Sequence, residues 1–210
     1  MKVFEYNLKL RSNDLNISRN FVARGDFSFH NLSKVIMTCL NWTGTKTITY
    51  FIEKESIEIV DSRISITKTM GINFKSDRDS ICEDLLDRGS KFVMIYGDDT
   101  PFVFDIEVTD VIYDYKKDAE LLNSTGKEPI ESCEGEGEYL DILNILNDKN
   151  SNDYEKTVEW IGENYLENII PISEINENFE NLELLFDEED ELDDSSDSSD
   201  FSFDIFSDLM

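Results

Sequence analysis

Residues 92–108 constrain the fold of this chain more than any other stretch. Phe92-Val93-Met94-Ile95-Tyr96 is a continuous apolar run, the pattern of a strand covered on both faces. Gly97-Asp98-Asp99-Thr100-Pro101 is turn chemistry, and Phe102 to Val108 returns as a second strand. A hairpin whose first strand is this apolar belongs at the centre of a sheet. The rest of the chain must therefore supply its neighbours and its cover.

The preceding residues supply strands. Val3 to Leu10 alternates apolar and polar with period two, and Ile17 to Ala23 is a second strand candidate ending at Arg24-Gly25-Asp26. The period then changes. Leu32, Val35, Ile36, Cys39 and Leu40 recur three and four apart, which predicts an amphipathic helix with Ser28 as N-cap, His30 in its first turn and Thr43-Gly44 as its stop. Thr45 to Glu53 reads as a strand, Ser56 to Ile66 as one or two more, and Asp79 to Leu86 as a short helix capped by Asp79 or Ser80 and stopped by Gly89. Residues 110–138 read as a surface connection with an extra strand at Val111-Ile112-Tyr113.

Helices follow. Pro129 to Tyr139 is an acidic loop punctuated by Gly135 and Gly137, and it opens into helices at Tyr139–Leu146 and Tyr154–Gly162. Val158, Ile161 and Tyr165 share the neighbourhood of Trp160, which predicts a buried indole. A further helix from Ile172 to about Phe186 carries Ile175, Phe179 and Leu182 on one stripe. Strands dominate the first half and helices the second, so the predicted class is α+β: a mixed, mostly antiparallel sheet packed against several helices.

Charge divides the chain. Residues 1–125 hold 16 Lys+Arg and 20 Asp+Glu, a net of −4; residues 126–210 hold 3 and 27, a net of −24. From Asp187 to Asp200 there are nine acids, four serines and Leu192 alone as a hydrophobe, too little apolar surface to offset ordering entropy. The reading is one domain over 1–186 and a disordered acidic tail over 187–210. The tail ends in Phe201, Phe203, Ile205, Phe206 and Leu209, a short hydrophobic segment fitted to dock on a partner.

That charge sets the partners. Nucleic acid is bound through clustered Lys and Arg, and the six Arg stand apart at 11, 19, 24, 63, 78 and 88, so direct contact with nucleic acid is not expected. No apolar run approaches the roughly 18 residues needed to span a bilayer, and no signal peptide precedes the first strand, which predicts a cytoplasmic protein. Cys39, Cys82 and Cys133 are far apart, and with His30 alone they make no zinc set. Carboxylates around Cys133 disfavour a reactive thiolate there.

Catalytic patterns are absent from the sequence. It has no Gly-x-Ser-x-Gly elbow, no P-loop and no Gly-x-Gly-x-x-Gly after a strand, and Gly135-Glu136-Gly137 is too short and acidic to cradle phosphate. Asp98, Asp99, Glu131 and Glu134 are the carboxylates best placed to line a Mg²⁺ or Ca²⁺ pocket. Turn chemistry accounts for the two aspartates without a metal, and no cofactor is assigned.

The order of motifs resembles the plasmid pRiA4b open-reading-frame-three-like family, proteins associated with plasmids and insertion elements. Phe29 to Trp42 is similar to its first helix and aromatic step. Asp84 to Phe92, then Ile95-Tyr96-Gly97-Asp98 and Phe104 to Val108, resembles its helix-glycine-strand-turn-strand unit. Pro129 to Leu146 resembles its proline-cysteine-glycine loop and following helix, and Val158 to Ile161 its later tryptophan helix. The likeness spans roughly residues 1–182. Relatives carry His and Trp where this chain has Phe102 and Phe104, and His where it has Thr45, Thr47 and Thr49, so a site built from those histidines would be lost here. The family brings no established activity.

These readings together predict a non-enzymatic protein-interaction domain that meets a basic protein partner through its tail. The rival is a small metal-dependent hydrolase with a site between the 96–104 hairpin and the 129–139 loop. A third possibility is an acidic decoy for a nucleic-acid-binding protein, which requires negative charge arranged on the folded part.

Overall fold

The computed structural model describes residues 1–63, 73–163 and 165–180. Strand β1 (Val3–Leu10) is followed by β2 (Ser18–Arg24), helix α1 (Phe29–Leu40), β3 (Ile48–Ile52), β4 (Ile57–Val60) and β5 (Asn73–Ser76). The one-turn helix α2 (Cys82–Leu85) precedes β6 (Lys91–Tyr96), β7 (Phe102–Ile112) and β8 (Ala119–Thr125), and α3 (Glu136–Asn147) and α4 (Tyr154–Ile161) come after the sheet. Residues 172–180 are also helical. The strands described form one sheet in the order β5-β4-β3-β6-β7-β1-β2-β8. Neighbours are antiparallel except β4 and β5, which run parallel. The fold is α+β, and α1 apart, its longer helices follow the sheet in sequence.

The hairpin of β6 and β7 forms with Tyr96 opposite Phe102, and it occupies the middle of the sheet. Period-two alternation puts Phe4, Tyr6, Leu8 and Leu10 on one face of β1 and Glu5, Asn7 and Lys9 on the other. Register carries that division across the sheet: Leu8 stands between Arg19 and Ile106, and Asn7 between Asn20 and Glu107. The apolar face joins α1, α3 and residues 172–180 in one core containing Phe29, Tyr139, Ile142, Ile175 and Phe179. Helix α1 docks through Phe29, edge-on to Tyr50 and Phe92, and through a 2.7 Å hydrogen bond between Ser33 Oγ and Tyr50 Oη.

Ser28 caps α1, its hydroxyl accepting from the Asn31 N–H at 3.2 Å. The stop differs from expectation. Asn41 takes the left-handed conformation (φ 53°) directly after Leu40, three residues before Gly44, and its N–H returns to the Met37 and Thr38 carbonyls. Asparagine tolerates that region better than other side-chain-bearing residues, so the helix ends before its glycine. Helix α2 starts from Ile81 rather than Asp79 or Ser80, because the Ser80 hydroxyl donates instead to the Ser76 carbonyl at 2.7 Å.

The segment 110–138 holds more structure than its polarity predicts. Strand β7 continues to Ile112, Asp114 turns the chain at φ 60°, and β8 pairs with β2 at the sheet edge. Only Ala119 and Leu121 of β8 are buried, too few for the period to be read from sequence. Arg19 is a second departure. It lies on the core face at 1% exposure, where alternation with Ile17, Phe21 and Ala23 predicts an apolar residue. Its guanidinium donates to the carbonyls of Cys39, Ser18, Thr125 and Gly126, and Glu128 lies 3.5 Å away. Burial pushes its pKa down against the pull of Glu128. The expected strand end at Ile66, the helix end near Phe186, the boundary at 186/187 and the tail with Phe201, Phe203, Ile205, Phe206 and Leu209 lie outside the described residues.

Candidate functional site

The acidic loop after Pro129 is clasped between the end of α1 and the 97–101 turn. Trp42 Nε1 donates to the Pro129 carbonyl at 2.7 Å, Lys46 Nζ to the Cys133 carbonyl, and Thr100 Oγ1 to the Glu134 carbonyl. Gly135 makes the approach possible. At φ +98°, a Cβ there would sit 2.0 Å from the Thr100 carbonyl oxygen.

This packing brings three of the four predicted metal candidates to one place. Asp98, Asp99 and Glu134 line a depression of about 380 Å³ with Thr45, Lys46 and Thr47, and Asp98 accepts from Thr47 Oγ1 at 2.9 Å. Glu131 is turned away. Its carboxylate accepts from the backbone N–H groups of Thr43 (2.7 Å), Gly44 (2.8 Å) and Thr45 (3.0 Å), from both threonine hydroxyls and from Tyr96 Oη. Among the described residues, no group of three His, Cys, Asp or Glu side chains is placed to hold a metal ion.

The Glu131 arrangement is a structural knot. Burial opposes ionisation, but the Thr43 N–H and Tyr96 hydroxyl bonds outweigh it and hold the carboxyl at about 2. Burial and the same carboxylate push Tyr96 up to about 12. The sequence pattern could not reveal this, because the three N–H donors come from a loop 86–88 residues away. The cysteines are buried free thiols. Burial, then the Glu138 charge, pushes Cys133 up to about 11, which suits a packing role beneath α3 rather than a nucleophile.

A different surface carries the exposed chemistry. Residues 126–180 hold 15 Asp+Glu and three Lys. Asp141, Asp153, Glu155, Glu159, Glu163, Glu167, Glu174, Glu177 and Glu180 are all exposed on or between the C-terminal helices. Trp160 stands among them at 55% exposure, contrary to the expectation of a buried indole. Tyr154, Thr157, Val158 and Ile161 form the inner stripe of α4, and Trp160 lies roughly 100° round the helix from its centre. Leu166 and Ile169, just beyond α4, are exposed as well.

The family model described as Plasmid pRiA4b ORF-3-like protein matches residues 2–174. The chain belongs to this family. No curated protein matches it. Among solved structures it is similar to MM3350, a protein of unknown function from Methanosarcina mazei Go1, with a TM-score of 0.68 and 16% identity over 81% of this chain and 96% of that one. That likeness is one of fold. Within this pRiA4b ORF-3-like chain, Phe102 and Phe104, which stand where relatives were expected to carry His and Trp, are core residues packed on Trp42. Thr45 and Thr47 hydrogen-bond Glu131 and Asp98. Among the described residues, no helix is long and apolar enough to cross a membrane.

Proposed function

We propose that this pRiA4b ORF-3-like protein is a non-enzymatic interaction module that binds a basic protein partner through its acidic C-terminal third. Exposure of Trp160 among carboxylates carries the reading. Tryptophan left in water is unfavourable, and it is among the residues most enriched where binding energy concentrates. The carboxylates steer a basic partner, and the indole with Leu166 and Ile169 provides apolar contact. In this proposal the tail hydrophobes Phe201, Phe203, Ile205, Phe206 and Leu209 are further contacts for the same partner. Three buried free thiols suit a reducing cytoplasm.

Capture experiments with full-length protein, a version ending at Phe186 and Trp160→Ala test it. A partner retained by the full chain, released as salt rises, lost on truncation and weakened by Trp160→Ala supports the proposal. Equal capture by all three sinks it. The exposed carboxylates on the folded part also favour a second reading, the acidic decoy. Double-stranded DNA that competes for the captured partner selects the decoy; DNA without effect selects a protein-only contact.

A further inference from the structure

The Glu131 carboxylate sits in an anion hole made by the loop after α1. Gly44, at φ +74°, turns that loop so that three consecutive backbone N–H groups, those of Thr43, Gly44 and Thr45, converge on one point. Glu131 Oε2 accepts the N–H (2.7 Å) and the hydroxyl (2.8 Å) of Thr43. Oε1 accepts the N–H groups of Gly44 (2.8 Å) and Thr45 (3.0 Å), the Thr45 hydroxyl and Tyr96 Oη. The donors are thus divided between the two oxygens, as a planar carboxylate requires.

The donors are held in place without help from Glu131. Arg63 fastens the carbonyl side of the loop at Gly44 (3.4 Å) and Lys46 (2.8 Å), and the Trp42 N–H returns to the Met37 carbonyl at 2.8 Å. Tyr96 Oη accepts the Lys46 N–H at 3.2 Å, which keeps the phenol beside the loop. The acidic loop is anchored separately, through its carbonyls at Pro129, Cys133 and Glu134. Side-chain rotation alone can therefore withdraw Glu131 and leave both backbones where they are.

Solvent reaches the site, because Thr43 and Thr45 are exposed. On the Thr45 side it is bordered by Asp98, Asp99 and Glu134, which repel an incoming anion. The Thr43–Gly44 side opens instead into a cleft of about 300 Å³ where Asp61 and Asp77 face Arg63 and His30. That side is the approach for a ligand. A carboxylate cradled by successive backbone N–H groups is also the arrangement by which proteins capture peptide C-termini. We propose that the 43–45 loop and Tyr96 form a carboxylate-binding site, that Glu131 fills it as an internal ligand, and that the terminal carboxylate of a peptide takes the place of Glu131.

Trp42 reports on the site, since its ring centroid is 4.7 Å from that of Tyr96 and its indole N–H holds Pro129. The chain has two tryptophans, so in full-length Trp160→Phe protein Trp42 alone fluoresces as an indole. N-acetylglycine, the smallest peptide end, is the probe, and N-acetylglycinamide its uncharged counterpart, both at constant ionic strength. With Glu131→Ala added, N-acetylglycine should give a saturable Trp42 change and a higher melting temperature, and the amide neither. With Glu131 present, binding should be weaker by about tenfold or more, because a tethered carboxylate competes at high effective concentration. Tyr96→Phe in the Glu131→Ala protein should weaken binding about tenfold, the loss of one hydrogen bond to a charged group. Glu131→Gln, isosteric with the native side chain, replaces Glu131→Ala if that variant does not fold, and it too should bind the probe more tightly than the parent. Equal binding of the amide, equal affinity with and without Glu131, full affinity in Tyr96→Phe, or no response in either Glu131 variant would overturn the proposal.

Discussion

The side-chain amide of Asn176 pairs with both backbone groups of Leu121, accepting its N–H at 2.8 Å and donating to its carbonyl at 3.1 Å. Leu121 lies in β8, the last strand of the sheet, whose outer side would otherwise present open ladder groups. One side chain from residues 172–180 thus imitates a strand partner and ties the C-terminal helix to the sheet edge. Asn176→Ala should cost about 1–3 kcal/mol, the range for two net hydrogen bonds, and should promote self-association. Urea midpoints and sedimentation check both effects.

Glu131 gives a pH signature. Its folded pKa, about 2, lies below the roughly 4.3 of an unfolded glutamate. A depressed carboxylate stabilises fully above the unfolded value and loses that contribution as pH falls through the folded one. Wild type should therefore be more stable than Glu131→Gln above about pH 4.3, and the gap should close between there and about pH 2. Melting temperatures of the two proteins across this window test the sign.

Gly135→Ala should be severely destabilising, by at least about 2 kcal/mol, since a left-handed backbone and a clash with backbone add together. The oxygen of Thr100 is part of a tight turn and cannot retreat as a flexible side chain would. Gly137→Ala, with open space around its Cβ, should cost far less. Denaturation curves of the pair separate close approach from loss of flexibility.

The tryptophans should behave oppositely. Trp42 is buried against Tyr96, Phe102 and Phe104, so Trp42→Ala should cost about 3–5 kcal/mol. Trp160→Ala should shift stability by no more than about 0.5 kcal/mol, as exposed substitutions do. Chemical denaturation of each variant distinguishes them.

Residues whose burial follows local periodicity were legible from sequence: the β6–β7 hairpin, β1, β2 and α1 with its Ser28 cap. Residues placed by distant partners were not. Arg19 occupies an apolar register position because carbonyls from β8 and α1 converge on it, and Glu131 resembles a metal ligand until the 43–45 loop reaches it. Trp160 lies about 100° round the helix from Tyr154, Thr157, Val158 and Ile161, an offset that the spacing itself carries and that its hydrophobicity masks. Asp98, Asp99 and Glu134 meet where the 97–101 turn touches the 129–139 loop, and their threonine and lysine surroundings depend on β3, which only pairing with β6 brings alongside.

The interior position of β1 has a consequence for how the chain matures. Its first neighbour, β2, is available almost at once, but its second, β7, ends at Ile112. A growing polypeptide must therefore carry an unfinished seam at β1 until the residues through Ile112 have been synthesised. Interruption of synthesis before that point would release a fragment with β1 exposed as an adhesive edge, so complete translation is itself a protection against aggregation.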